Sequence, residues 1–230
     1  MKYLLMVVMI MVASCTQSDQ SKIDLVKNGI LNNYKSISVG QAFDQWQMCN
    51  HKSSNWTLVK TSNGADVVEF TCNVKDVSKI VEVLKNNINQ RHEAQIVSLD
   101  DDIAKWEERA QNADSEYMKS FFEKELIERK NRYAADLREN DEQTQQLLLA
   151  ASIDKIIYTF QWLLNKDDTF ELSYKGIEYF WQNGTHAELK LGNEVINDVY
   201  QDKNPFLDVA NSNYGVLLVN MLNNIYKNAK

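Results

Sequence analysis

The stretch Ile153-Asp154-Lys155-Ile156-Ile157-Tyr158-Thr159-Phe160-Gln161-Trp162-Leu163-Leu164 decides the fold class. Ile156, Tyr158, Phe160 and Trp162 recur at every second position, which is the period of a strand with one buried face. Asn165-Lys166-Asp167-Asp168 reads as a turn, and Thr169–Tyr174 alternates again at Phe170, Leu172 and Tyr174. Gly176 interrupts that second strand as a bulge or bend. Tyr179-Phe180-Trp181, Asn183-Gly184 and Ala187–Leu191 continue as another hairpin. Because Tyr179, Phe180 and Trp181 are consecutive, both faces of their strand carry an aromatic residue. They are therefore candidate partner-binding aromatics, unless the helical part of the chain covers them.

Upstream, Trp56–Lys60 and Val67–Val74 are two further β-rich runs, separated by a loop with Asn63-Gly64, a hairpin signal. Val68, Phe70, Cys72 and Val74 share the buried face of the second run. Ser38-Val39-Gly40-Gln41 starts a helix with Ser38 as N-cap and Gln41 three residues on. That helix is expected over Gly40–Cys49. Val26–Ser38 reads as turns plus a short extended piece, and Asn193–Tyr200 as a short helix. Pro205 opens a final region in which Tyr214, Leu218, Leu222 and Ile225 mark an amphipathic helix.

Between Asp76 and Ala151 there is neither Gly nor Pro, and good helix formers dominate. Ile96, Leu99, Ile103, Trp106, Ala110, Ala113 and Tyr117 follow a 3,4 heptad seam. Phe122, Leu126, Tyr133, Leu137, Thr144 and Leu148 form a second seam in shifted phase. A hairpin with its tip near Asn112-Ala113-Asp114-Ser115 explains the shift. Its two arms would each reach about 55 Å if fully helical. Ser98 before Asp100-Asp101-Asp102 also resembles a helix start, so a break in the first arm is the alternative. The expected fold is therefore α+β, with helices packed on a four-stranded antiparallel sheet. Residues 26–75 and 152–230 form the α+β module, and 76–151 form a coiled-coil hairpin inserted between strands 2 and 3.

The amino end carries an address. Lys2 precedes an apolar run from Leu4 to Val12, too short for a bilayer span and laid out like a secretory signal. Val12-Ala13-Ser14-Cys15 follows and resembles the lipobox of bacterial lipoproteins. The resemblance implies a signal peptide over residues 1–14, cleavage before Cys15, and diacylation and further acylation of Cys15. Thr16 rather than Asp after the Cys implies the outer membrane. Residues 15–25 then read as a lipidated polar tether. With Cys15 modified, Cys49 and Cys72 remain. Outside the cytoplasm they are expected to form a disulfide, closing about two dozen residues and contributing roughly 3 kcal/mol. Two buried free thiols are the alternative.

Three stretches, VKNGILNNYKSISVGQAFDQW, VVEFTCNV, and IIYTFQWLLNKDDTFELSYKGIEYFWQNG with INDVYQ, resemble a module of small bacterial lipoproteins. The resemblance spans roughly residues 26–75 and 153–200. It implies a helix, a four-stranded antiparallel sheet and a closing helix, as in β-lactamase-inhibitor-protein-like and outer-membrane-assembly lipoprotein folds. The helical block departs from the simple module. The shared stretches bring no catalytic residue with them.

Composition narrows function further. The 230 residues carry 25 basic and 32 acidic side chains, net −7, so nucleic acid is not an expected partner. Removing residues 1–14 deletes one Lys and no acid, which makes the balance more acidic still. His51, His92 and His186 stand in no metal-ligand spacing, and Cys49-x-His51 has no second Cys/His pair. Neither a nucleophile elbow nor a phosphate loop occurs. We expect no cofactor, no metal and no catalytic residue. The charged helical block, with Glu125/Arg129 and Glu128/Arg132 at i,i+4, reads as a solvated surface. The functional expectation is a lipid-anchored envelope protein that binds another envelope protein or serves a structural role. A hydrolase acting on cell wall or glycan is the alternative, since its two carboxylates need no local motif.

Overall fold

The computed structural model describes residues 17–204, 206, 210 and 215–229. The signal segment and Cys15 lie outside the described residues, as do Pro205 and Tyr214. The described residues hold six helices and one antiparallel sheet. In chain order they are α1 (Gln17–Asn28), α2 (Val39–Gln45), β1 (Asn55–Lys60), β2 (Asp66–Asn73), α3 (Val77–Gln111), α4 (Glu116–Ala151), β3 (Ile153–Leu164), β4 (Phe170–Trp181), β5 (His186–Lys190), α5 (Glu194–Tyr200) and α6 (Gly215–Asn228). The sheet has five strands, not the expected four, in the order β1-β2-β3-β4-β5. Phe170–Trp181 runs as one strand past Gly176, and the return of the last hairpin, expected over Ala187–Leu191, is the fifth strand at His186–Lys190. Gly64 and Gly184 take positive φ at the β1–β2 and β4–β5 turns, where a side chain is disfavoured.

One face of the sheet is the core. Phe70, Ile156, Tyr158, Phe160, Trp162, Ile177, Tyr179 and Trp181 all lie on it and are buried. α2 drops Phe43 into its centre, with ring centroids 4.9 Å from Phe160, 5.1 Å from Trp162 and 5.2 Å from Phe70. Edge-to-face pairs of this kind each add about 0.5–1.5 kcal/mol beyond the area they bury. The capping box expected at Ser38 is present: the Ser38 hydroxyl accepts from the Gln41 N–H and the Gln41 side chain accepts from the Ser38 N–H. α2 ends at Gln45, earlier than expected, because the Trp46 indole turns away to donate to the Lys203 carbonyl at 2.9 Å.

The tether reading of residues 15–25 needs correction from Gln17 onward. Residues 17–28 are a helix, with Ile23 and Val26 buried three apart. Three apolar positions (Ile23, Leu25 and Val26) in a polar stretch carry little sequence signal, and the helix exists because a surface is waiting for Ile23 and Val26. Lys22 Nζ lies 2.5 Å from Asp66 on β2, and Lys27 Nζ lies 2.8 Å from Asp44 on α2. The two helices touch at Gly40, where an added Cβ would sit 2.9 Å from the Lys27 carbonyl oxygen.

The insertion between β2 and β3 is a hairpin of two unbroken helices of 35 and 36 residues. Ser98 does not start a new helix. Its tip falls at residues 112–115 as expected, and Ser115 caps α4 by accepting from the Met118 N–H. Val77, Ile80, Val81, Leu84 and Ile88 root α3 in the main core, joined by Ala150 and Ala151 of α4. Leu218, Leu222 and Tyr226 of α6 belong to the same core cluster.

Candidate functional site

The structure places the candidate residues in three settings. Cys49 and Cys72 form a disulfide with a Cα separation of 5.5 Å, and both are fully buried. Cys49 follows α2 rather than ending it, and pairs with Val74 in an isolated bridge, so the bond staples a loop to β2.

The aromatic triplet is not a partner surface. Tyr179 and Trp181 are 2% and 3% exposed and point into the core. Tyr179 meets Phe206, Trp181 meets Tyr226 of α6, and the Trp181 indole donates to the Ala150 carbonyl. Burial in that apolar setting pushes the Tyr179 hydroxyl well above the usual tyrosine range. Phe180 alone faces the other side, where it stacks on His186 with Lys155 above it. Its exposure is partial, and its neighbours are charged. Tyr179 and Trp181 are covered by Phe206, Tyr226 and the last turn of α4, while the face that carries Phe180 stays open.

That other side of the sheet is open and polar. Glu69, Gln161, Tyr174, Glu178 and Glu188 line a shallow concavity of about 450 Å³. Gln161 donates to Glu69 at 2.7 Å, and the Tyr174 hydroxyl donates to Glu188. Desolvation, reinforced by that bond, pushes Tyr174 up to about 12. Glu178 and Glu188 are register partners across β4 and β5, and His186 contacts Glu178 at 3.2 Å.

The hairpin is the third setting. Its seam follows the heptad reading, with Ile96, Leu99, Ile103 and Trp106 facing Phe122, Leu126, Tyr133 and Leu137, all half-buried. Trp106 contacts Phe122, with the Arg109 and Arg129 guanidinium groups over its ring at 4.8 and 4.3 Å. The helices are tied across by Arg129–Asp102 and Lys130–Glu107, each at 2.6 Å. Arg129 therefore serves the interhelix contact, not the i,i+4 pair with Glu125 read from sequence. Nearer the root, a polar layer interrupts the seam. His92 Nδ1 accepts from Asn140 at 2.9 Å and from Thr144 at 3.1 Å, and its Nε2 faces Asp141 at 3.3 Å. Sequence reading placed His92 in the solvated charged surface. Its partners lie 48 and 52 residues away, so no local signal could have found them.

The tip departs from the seam. Tyr117, assigned to the heptad stripe, is 79% exposed, and Phe121 and Met118 beside it are 44% and 37% exposed. Ile88 is the last residue of α3 in the main core, so 23 further residues to Gln111 carry the tip about 35 Å beyond it. Three partly exposed apolar side chains therefore gather at the end of the projection.

Among the described residues no helix is long and apolar enough to cross a membrane, and no group of three His, Cys, Asp or Glu is placed to hold a metal ion. No protein-family model, curated protein or solved structure matches this chain.

Proposed function

We propose that the chain is a lipid-anchored protein of the bacterial outer membrane, held through Cys15, that binds another envelope protein with the tip of its helical hairpin. The lipobox Val12-Ala13-Ser14-Cys15 supports the address, and a buried disulfide suits an oxidising compartment. One observation carries the binding role: Tyr117, Met118 and Phe121 are exposed at the far end of an ion-paired hairpin. A half-buried two-helix projection is expensive to keep unless its end has work to do. α1 begins two residues after Cys15, a reach of about 7 Å, so the folded body lies against the leaflet and the hairpin supplies the reach.

The test is a photo-crosslinker at position 117 of the full chain in its own membranes, with a second at position 52 as control. A single envelope protein captured from 117 and not from 52 is the expected result. With the crosslinker kept at 117, Met118→Ala with Phe121→Ala should abolish that capture. No adduct from 117, or the same adducts from both positions, overturns the proposal.

A second reading, a cell-wall or glycan hydrolase, rests on the facing carboxylates of Glu178 and Glu188 over the open concavity. It requires turnover of a glycan or peptidoglycan substrate that Glu178→Gln or Glu188→Gln removes. A flat result across such substrates eliminates it.

A further inference from the structure

The strongest unassigned feature lies at the root of the hairpin, where α3, α4 and α6 enclose a cleft of about 240 Å³. Arg91, His92 and Lys227 line it, together with five amide side chains, Asn223 among them. Ile88 and Leu147 supply an apolar wall. No acidic side chain lines it, in a chain that carries more acids than bases. Neither Arg91 nor Lys227 forms an ion pair among the described residues. His92 is held by Asn140 and Thr144 at Nδ1 and turns its Nε2 toward Asp141. The cleft therefore presents two basic side chains outside any ion pair and a belt of amides that both donate and accept. The Asn223 amide oxygen has no hydrogen-bond partner, so that amide can turn toward a ligand without breaking a bond.

We propose that this cleft binds a small anionic sugar, a monosaccharide bearing one carboxylate or phosphate group. The cations take the anion, the amides take hydroxyls as donors and acceptors, and Ile88 and Leu147 take the C–H face of the ring. The volume lies below the range of drug-sized sites, as a single sugar unit requires. An inorganic anion alone would leave the amide belt unused. A neutral sugar would leave Arg91 and Lys227 unpaired. The proposal is independent of the hairpin tip and of any partner bound there.

Calorimetric titration of the full chain in detergent with glucuronate, glucose 6-phosphate, glucose and inorganic phosphate tests it. At least one charged sugar should bind, and glucose and phosphate should each bind at least tenfold more weakly. The better of the two charged sugars identifies the anion. Arg91→Gln with Lys227→Gln, both exposed, should weaken that sugar at least tenfold while the melting temperature stays put. Asn223→Leu should weaken the sugar without affecting phosphate. Silence with both charged sugars at millimolar concentration, equal binding of phosphate alone, or a double variant that binds unchanged would each overturn the proposal.

Discussion

Trp181, the last residue of β4, donates its indole N–H to the carbonyl oxygen of Ala150 in the last turn of α4, at 2.7 Å. The last four carbonyls of a helix have no partner within it. Here Leu148 is satisfied by the Ser152 hydroxyl, Leu149 by the Ser152 N–H and Ala150 by Trp181. The root of the hairpin is thus fixed to a strand that is not its immediate sequence neighbour.

Trp181→Phe keeps most of the volume and removes that donor, leaving a buried carbonyl short of a partner. It should lower unfolding free energy by about 1–3 kcal/mol, read from the urea midpoint. An unchanged midpoint would show that the bond contributes nothing.

Reduction is the second case. Cys49 and Cys72 are 23 residues apart, and a loop of that size is worth about 3 kcal/mol in the unfolded chain. Cys49→Ser with Cys72→Ser should cost about that much. Because neither sulfur is exposed, native protein in a mild reductant should react slowly and speed up as denaturant is added. Labelling of free thiols against urea concentration reads this directly.

Gly40 is the contact point of α1 and α2. Gly40→Ala would force a methyl to 2.9 Å from both the Lys27 Cβ and its carbonyl oxygen. Helix propensity favours Ala by about 1 kcal/mol, yet the clash should win and destabilise by about 1–3 kcal/mol. A more stable variant would mean that α1 is not held tightly.

Asp66 gives a pH signature. Hydrogen bonds from Lys22 and Lys60 hold its carboxyl below the usual 3.8. A folded value below the unfolded one adds stability at pH above the unfolded value, and that contribution disappears as pH falls through the folded value. Asp66→Asn should therefore be less stable than the parent at neutral pH by a small, salt-sensitive margin. The gap in urea midpoints should close as pH drops below 3.8. A gap that persists in acid would assign it to something other than charge.

Much of the fold was readable in the residues. Alternation in Ile153–Leu164, the Asn-Gly hairpin signals, the capping box at Ser38 and the heptad stripes each encode a contact between near neighbours, or a periodic face. α1 is not legible because Ile23, Leu25 and Val26 give too few apolar positions to declare a helix before β2 and α2 offer a surface. The candidate sites were less legible. The triplet Tyr179-Phe180-Trp181 looks available in sequence because consecutive strand residues face opposite sides, but Tyr179 and Trp181 share the core face, where α6 and Phe206, brought near only by folding, cover them. Arg91 and Lys227 stand 136 residues apart, and no spacing rule joins them.

By itself the sequence determined the class of the fold and the insertion point and tip of the hairpin, because periodicity and turn chemistry act between residues close along the chain. Tertiary structure alone decided which aromatics are buried, which exposed side chains end the hairpin, and where two cations meet a belt of amides. Those properties belong to surfaces that do not exist until distant segments pack.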